Sequence, residues 1–167
     1  VKDYKQAIEI YEKLINDMGM SEYYRSIGII KLEQGKKKEA IADFEKAGEL
    51  ADDVQSYIRL ADIYFQDNNT DTAMKYLLKV SELRPDIVLA DRYLGEFYKD
   101  SKDYKKAVHF YMQASQHMEG GARIAVLKQA GALALENEDY TAAYEAFATA
   151  LKDDPQDEQL YYFTGYC

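Results

Sequence analysis

The sequence contains one cysteine, two prolines and no tryptophan among its 167 residues. A single thiol, at Cys167, excludes a disulfide framework and a cysteine metal cluster within these residues. So few prolines leave little to interrupt helices, which favours a mostly helical chain. No apolar run approaches the 18 residues of a membrane span, so we expect no helix that crosses a bilayer.

Positive charge is also scarce, because 21 Lys and Arg face 30 Asp and Glu and leave a net charge of −9. Proteins that follow phosphate backbones carry a net basic face, so this balance argues against nucleic acid as a partner. A chain of this length can bury roughly two thirds of its unfolded surface, and it needs no metal to fold. The sequence predicts no cofactor. We expect a cytoplasmic location, and the low cysteine content is equally compatible with a periplasmic or other extracytoplasmic one.

An internal repeat is the main feature that the sequence does have. Its core is an Ala, a large side chain four residues later, and an apolar or small residue three further on. The copies are Ala7-Tyr11-Leu14, Ala40-Phe44-Ala47, Ala73-Leu77-Val80, Ala107-Tyr111-Ala114 and Ala143-Phe147-Ala150. Successive Ala residues are 33, 33, 34 and 36 positions apart. This period predicts stacked copies of one structural unit.

A second cluster begins sixteen residues before each of the last four Ala. Its copies are Tyr24-Ile27-Gly28, Tyr57-Leu60-Ala61, Asp91-Leu94-Gly95 and Leu127-Ala130-Gly131. A fifth copy with the same internal spacing, Tyr161-Thr164-Gly165, lies near the end of the sequence. Residues at i, i+3 and i+4 line one helix face. The small residue lets a neighbouring helix approach closely, and the large residue fills the hole that this leaves. Polar turns separate the clusters, so each unit reads as helix, turn, helix.

This pattern resembles the tetratricopeptide repeat, and the resemblance covers essentially the whole chain. The closest copy of the family motif comprises Leu94, Gly95, Tyr98, Ala107, Tyr111 and Ala114. The chain departs from the motif where Lys31 replaces the family Tyr, where Asp91 replaces a large residue, and where Leu77 replaces an aromatic. The resemblance implies an all-α fold, a right-handed superhelical solenoid of antiparallel helix pairs.

The phase of the repeat predicts how the chain is organised. We expect a single array of full repeats flanked by half-units: a second helix over 1–20, full repeats over 21–53, 54–87, 88–121 and 124–157, and a first helix over 158–167. Half-units at both ends predict an excerpt from a longer array. The C-terminal half-unit carries Tyr161, Tyr162, Phe163 and Tyr166, and we expect this aromatic helix to pack on a neighbouring molecule.

Catalytic and metal-binding patterns are missing from the sequence. It has no nucleophile elbow, phosphate-binding loop or dinucleotide-binding glycine motif. His109 and His117 are more than two helical turns apart, too far to share a metal ion without further ligands. Paired acids such as Asp52-Asp53 fall in turns, where capping explains them better than acid–base catalysis. We therefore predict a protein that is not an enzyme and has no metal site.

The family resemblance also implies where a partner would bind, because the first helix of each unit lines the concave surface. The predicted groove residues are Arg25, Ile29, Ile58, Arg59, Asp62, Phe65, Leu89, Arg92, Glu96, Lys128, Leu135 and Tyr162. A cation recurs once per unit among apolar side chains, which suits an extended or helical peptide that carries carboxylates. The alternative is pairing within one helix, as at Arg59 with Asp62 and at Arg92 with Glu96.

One known binding mode of the family can be tested directly on the residues. Some tetratricopeptide domains bind chaperone C-termini through a Lys-and-Asn carboxylate clamp. Four residues after Arg25 and Lys128 this chain has Ile29 and Ala132, where the clamp requires Asn, so this mode is disfavoured. The leading hypothesis is a scaffold that binds a peptide or protein segment in its groove. The alternatives are an assembly element that forms homo-oligomers through helix faces and open array ends, and a regulatory arm of a larger enzyme.

Overall fold

The computed structural model describes residues 3–18 and 20–167, apart from the side chains of residues 16–18. Every regular element in these residues is an α-helix, which confirms the all-α prediction. The helices are α1 (Tyr4–Met18), α2 (Ser21–Glu33), α3 (Lys37–Ala51), α4 (Val54–Gln66), α5 (Thr70–Leu83), α6 (Val88–Asp100), α7 (Tyr104–Ser115), α8 (Gly120–Glu136), α9 (Tyr140–Asp153) and α10 (Glu158–Tyr166). The predicted helix over 1–20 includes residues 1, 2 and 19, which lie outside the described residues.

The helices form two compact units, Val1–Leu83 with α1 to α5 and Arg84–Cys167 with α6 to α10. Within each unit every helix packs against its neighbours in sequence. Short turns between such neighbours make them antiparallel. We call the even-numbered helices first helices and the odd-numbered helices second helices, since each of α2, α4, α6 and α8 is followed by its close-packed partner.

The turns inside the four helix pairs share one conformation. A residue with positive φ follows each first helix, at Gly35, Asn68, Lys102 and Glu138. The next amide then donates a hydrogen bond to a carbonyl five residues back, at 2.8 to 2.9 Å, as from Lys36 to Lys31 and from Asp103 to Tyr98. This is the Schellman ending, which satisfies carbonyls that the end of a helix leaves unpaired.

Aspartate side chains cap the N-termini of several helices. Asp103, Asp139 and Asp157 each accept hydrogen bonds at their side chains from backbone amides in the first turn of α7, α9 and α10. Such caps satisfy amide donors that have no partner within the helix. The longest repeat step, 36 residues, is taken up by α8, which has 17 residues where α2, α4 and α6 have 13 each.

The core of three of the four helix pairs is a close approach between a first-helix glycine and a second-helix ring. A Cβ atom on Gly28 would lie 2.9 Å from the ring of Phe44, and one on Gly95 would lie 2.6 Å from Tyr111. Gly131 has the same relation to Phe147, also at 2.6 Å. The three rings are buried. No larger residue fits at these glycines without movement of a packed ring.

The α4/α5 pair solves the same packing problem with different side chains. Ala61 stands where the other pairs have glycine, and Leu77 stands where they have an aromatic ring, and both are buried. The added methyl group of the alanine and the smaller volume of the leucine compensate each other, as volume-conserving exchanges in cores do. Leucine in place of an aromatic residue at position 77 therefore fits the packing of this pair and does not interrupt the repeat.

Substitution of Gly95 tests this packing. We expect Gly95→Leu to lower the free energy of unfolding by about 1–3 kcal/mol, the range for overpacked cores, because the new side chain collides with the Tyr111 ring. The matched control is Gly121→Leu, at an exposed helical glycine whose Cβ would meet nothing within 4 Å. Thermal or denaturant unfolding of both variants measures the difference, and equal stabilities would contradict the proposed role of Gly95.

Candidate functional site

All predicted groove residues lie on first helices, so the structure distributes them over α2, α4, α6, α8 and α10. In the first unit, Ile29, Arg59 and Asp62 are exposed, whereas Ile58 and Phe65 are half-buried. In the second unit, Leu89, Arg92, Glu96 and Tyr162 are exposed, whereas Lys128 and Leu135 are half-buried. Each unit thus combines apolar and charged side chains on the first helices.

A cavity of about 330 Å³ opens between α8, α9 and α10 in the second unit. Its walls are mostly apolar, and its lining residues are Lys128, Ala132, Leu135, Phe147, Gln159 and Phe163. The rings of Phe147 and Phe163 stack with their centroids 5.0 Å apart. An apolar concavity with a few polar groups at its edge is the usual form of a ligand site.

The ammonium group of Lys128 forms an ion pair with the carboxylate of Asp157, the N-cap residue of α10. The hydrogen bond from Lys128 and those from the backbone amides of Leu160 and Gln159 hold the pKa of Asp157 below its usual value, against a smaller effect of desolvation. The cation at this cavity is therefore already neutralised by a carboxylate of the same chain.

Arg25 in the first unit makes an equivalent contact. Its Nη1 donates to Asp53 Oδ1 at 2.6 Å, while the Ser56 hydroxyl donates to the other carboxylate oxygen at 2.6 Å. The two ion pairs join residues 28 and 29 positions apart, from one first helix to the start of the next. The two pairs occupy equivalent positions in their repeats.

Arg59 and Arg92 differ from these two cations. Neither has a hydrogen bond or an ion pair with any residue in the described part of the chain. The positions 28 residues further on are Ile87 and Gly120, which carry no acid. Among the described residues, the predicted pairs within one helix, Arg59 with Asp62 and Arg92 with Glu96, do not form. Glu96 pairs with Lys99 instead.

A shallow depression of about 190 Å³ surrounds Arg92, and Leu89, Tyr93 and Glu96 complete its lining. The side chain of Leu89 is 60% exposed. The combination places an apolar contact beside a guanidinium group that has no ion pair among the described residues. It suits a partner that offers an apolar side chain next to a carboxylate.

Glu96 is the most strongly perturbed acid on this surface. Desolvation opposes its ionisation, but hydrogen bonds from Lys99, Gln129 and Tyr111 outweigh it and lower the pKa to about 2. Gln129 Nε2 lies 2.9 Å from Glu96 Oε1 and 2.8 Å from the Tyr111 hydroxyl. Burial and the contact with Glu96 raise the pKa of that hydroxyl. Glu96 is thus a fixed negative charge between α6 and α8.

Two features of this surface were missed by sequence reasoning. Phe147 and Phe163 line the cavity, although the repeat pattern gives Phe147 only a packing role. The cross-repeat ion pairs were missed because a search for partners at i+3 and i+4 does not reach residues 28 positions away. The acids at the N-caps of α4 and α10, Asp53 and Asp157, were the signal that could have found them.

The described residues contain no group of three or more His, Cys, Asp or Glu that could hold a metal ion. Within the same residues no helix has the length and apolar content that crossing a membrane requires.

Comparison with known proteins gives matches along most of the sequence. Family models of the tetratricopeptide repeat match residues 21–53, 54–87 and 94–116, and residues 128–167. Over 133 residues the chain is 31% identical to Protein CTR9 homolog of Arabidopsis thaliana, which covers 78% of this chain. The chain spans 12% of the length of that relative.

Solved structures are similar at the level of the fold. YrrB has a TM-score of 0.55 and 18% identity, with 99% of this chain and 84% of that chain covered. MamA has a TM-score of 0.54 and 20% identity, with 94% and 92% covered. A tetratricopeptide repeat protein from Parabacteroides merdae has a TM-score of 0.58 and 18% identity, with 98% and 65% covered. These matches confirm the fold that the repeat pattern predicts.

Cations that form an ion pair with the following repeat and cations that do not should differ in their effect on stability. We expect Arg25→Ala to lower the free energy of unfolding by about 1 kcal/mol, because it leaves the half-buried carboxylate of Asp53 without its charged partner. Arg92→Ala should change it by less than about 0.5 kcal/mol, as exposed surface substitutions do. Denaturant unfolding of both variants makes the comparison, and a larger loss for Arg92→Ala would contradict the assignment.

The low pKa of Glu96 predicts a pH dependence. Because the folded-state pKa lies below the ordinary value of 4.5, the stability that this carboxylate contributes is complete above about pH 4.5 and is lost as the pH falls towards 2. Carboxyl-carbon NMR should give a midpoint near 2 in the parent and a higher midpoint in Lys99→Met. Lys105→Met, at an exposed lysine of the same unit, should leave the midpoint unchanged. An unmoved midpoint in Lys99→Met would refute the role of Lys99.

Proposed function

Because this chain belongs to the tetratricopeptide repeat family, a family of protein-interaction scaffolds, we propose that it binds a peptide or protein segment along its first helices. The observation that carries this proposal is the cavity between α8, α9 and α10, with mostly apolar walls and Lys128 among its lining residues. Proteins of this family are typically non-enzymatic, and we propose that this chain acts by binding alone. A peptide-binding site is described for YrrB, which has the same fold and therefore supports the proposal by analogy.

The chemistry of the surface specifies the segment. The cavity has room for a large apolar side chain, which would lie against Leu135, Phe147 and Phe163. Arg92 lacks an ion pair among the described residues and offers a charged donor to a carboxylate of the partner. We therefore propose a segment that carries an apolar anchor and at least one acidic residue. In the first unit, Arg59 with Ile58 and Ile29 offers the same combination.

Energy and orientation would come from different parts of this surface. Burial of an apolar anchor in a preformed cavity supplies most of the affinity in such complexes. Exposed charges such as Arg92 chiefly accelerate association and set direction, and their contribution falls with salt. Removal of Arg92 should therefore reduce the association rate at low salt more than it increases the dissociation rate.

Selection from a library of random displayed peptides tests the proposal and needs no candidate partner. We expect the parent chain to enrich peptides with a large apolar residue near Asp or Glu. Ala132→Arg places a long side chain into the cavity from an exposed helical position, and it should weaken a selected peptide by at least about tenfold, or 1.4 kcal/mol. The matched control is Ala42→Arg, at an exposed alanine of α3.

Titration calorimetry and stopped-flow kinetics measure binding of the selected peptides to the parent, Ala132→Arg, Ala42→Arg and Arg92→Ala. Equal affinities for the parent and Ala132→Arg would place the binding site elsewhere. Enrichment of basic peptides, or no enrichment, would refute the proposed partner chemistry.

A further inference from the structure

A polar cavity of about 250 Å³ lies between the second helices α3 and α5 of the first unit and reaches α4. Its lining residues are Glu45 and Glu49 of α3, Tyr57 of α4, and Tyr76 and Lys79 of α5. Residues three or four positions apart share a helix face, so each of the two second helices turns one pair of these side chains to the cavity. Two carboxylates, two rings and one ammonium group thus meet at one place.

Aromatic rings form a fixed wall of this cavity. The ring of Tyr76 stacks on those of Tyr57 and Tyr64, with centroids 6.1 and 5.8 Å apart and interplanar angles of 24° and 14°. The Tyr76 hydroxyl donates a hydrogen bond to Glu45 Oε1 at 2.8 Å. Burial, together with this hydrogen bond to a carboxylate, raises the pKa of the hydroxyl, so it stays a donor at neutral pH. The stack therefore holds Glu45 at the edge of the wall.

A glycine of α3 brings a ring close to the two carboxylates. A Cβ atom on Gly48 would lie 2.5 Å from the ring of Tyr57. Gly48 is three residues after Glu45 and next to Glu49, so the ring reaches the side of α3 that carries the acids. The other second helices have larger residues at this position, namely Ile15, Ser81, Ser115 and Leu151. The close approach of ring and acids is therefore specific to this repeat.

The cavity already accommodates a cation of the chain itself. Lys79 Nζ lies 4.8 Å from the centroid of the Tyr57 ring. Lys79 is exposed, and it has no ion pair or hydrogen bond with any residue in the described part of the chain. A single cation–π contact at an exposed site holds a flexible side chain only weakly. Glu49 has its own exposed partner, Lys46, at 3.5 Å. Lys79 can therefore leave without breaking an ion pair.

The equivalent cavity one repeat earlier holds its cation differently. Its volume is about 310 Å³, and its lining includes Glu12, Tyr24 and Asp43, each 33 positions before a residue of the α3/α5 cavity. Lys31, also in its lining, places Nζ 2.7 Å from Asp43 Oδ2, and its side chain is only 18% exposed. Tyr64 stands at the position of Lys31 in the next repeat. The α3/α5 cavity has therefore lost this fixed cation and has only the exposed Lys79.

We propose that the cavity between α3 and α5 binds an arginine side chain from a basic segment of a partner protein, which displaces Lys79 from the ring of Tyr57. A guanidinium group is planar, stacks on aromatic faces and offers five donors, so it can cover the ring and also donate to Glu45 and Glu49. The net charge of −9 favours the approach of a basic segment. The proposal does not depend on binding along the first helices, which calls for a segment of opposite charge.

An NMR titration of the isotope-labelled 167-residue chain tests this site. The probe is an acetylated and amidated glycine–arginine–glycine peptide, and the matched control peptide carries citrulline, whose uncharged urea group has nearly the shape of guanidinium. We expect the arginine peptide to give saturable shifts of the amide signals around Glu45, Glu49 and Lys79, and the citrulline peptide to give none. Equal responses to the two peptides, or shifts confined to other helices, would overturn the proposal.

Removal of the resident cation should strengthen binding. Lys79→Ala frees the Tyr57 ring and keeps a residue that favours helices, so the affinity for the arginine peptide should rise about two- to fivefold, the equivalent of one exposed cation–π contact. Lys105→Ala makes the same change in net charge at an exposed site of α7 and should leave the affinity near that of the parent. An unchanged affinity in Lys79→Ala, or an equal rise in Lys105→Ala, would refute displacement of Lys79.

Removal of one carboxylate should weaken binding. Glu49→Gln keeps the shape of the side chain and leaves the Tyr76–Glu45 hydrogen bond intact, and it should lower the affinity by about twofold or more. Glu145→Gln, at an exposed position of α9, is the matched control for net charge and should have little effect. Amide spectra that are unchanged away from the substitution verify the fold. Equal losses in the two variants would show that overall charge, and not this cavity, attracts the peptide.

Discussion

A ring of the second helix lies against the backbone of the first helix in each of three helix pairs, and most of the packing depends on this contact. Glycine is needed there because a Cβ atom would lie within 2.9 Å of the ring. The close approach brings the helices near enough for the anchor alanines to be completely buried. Short helices of about four turns are marginal alone, so this interhelical packing supplies most of their stability. The pair with Ala61 and Leu77 shows that the volume of the contact matters more than its aromatic character.

In the described residues, the first helices make these core contacts with one face and carry charged and exposed apolar side chains on the adjacent face. The face that carries the glycine packs in the core, and the tyrosines and phenylalanines at repeat positions occupy that core. Cations, acids and apolar residues remain on the adjacent face, at positions such as Arg92, Leu89 and Lys128. Because nothing in the core constrains these positions, they can vary with the partner while the fold is kept. If the chain binds a partner as we propose, this face is where specificity can reside.

The sequence predicts the fold well because the core positions can be recognised from residue types at short spacing along the chain. Small, apolar and aromatic residues at helical spacing identify each helix and its packed face, and the period identifies the stack. The repeat bounds and the groove residues remain predictions. What the sequence did not reveal were contacts between repeats, such as Arg25 with Asp53 and the hydrogen bonds among Gln129, Glu96 and Tyr111. Their residues lie 28 to 33 positions apart or meet only when two helices are in place.

The ion pair of Lys128 limits what charge can contribute to binding. A partner carboxylate at this cation would have to replace Asp157, which also accepts hydrogen bonds from the first turn of α10. The exchange trades one carboxylate for another and leaves Asp157 to be solvated, so its net gain is small. Arg92 has no such competitor among the described residues, and a carboxylate can approach it without breaking an existing pair. The apolar cavity should therefore set the affinity, and Arg92, rather than Lys128, should set the direction in which a partner lies.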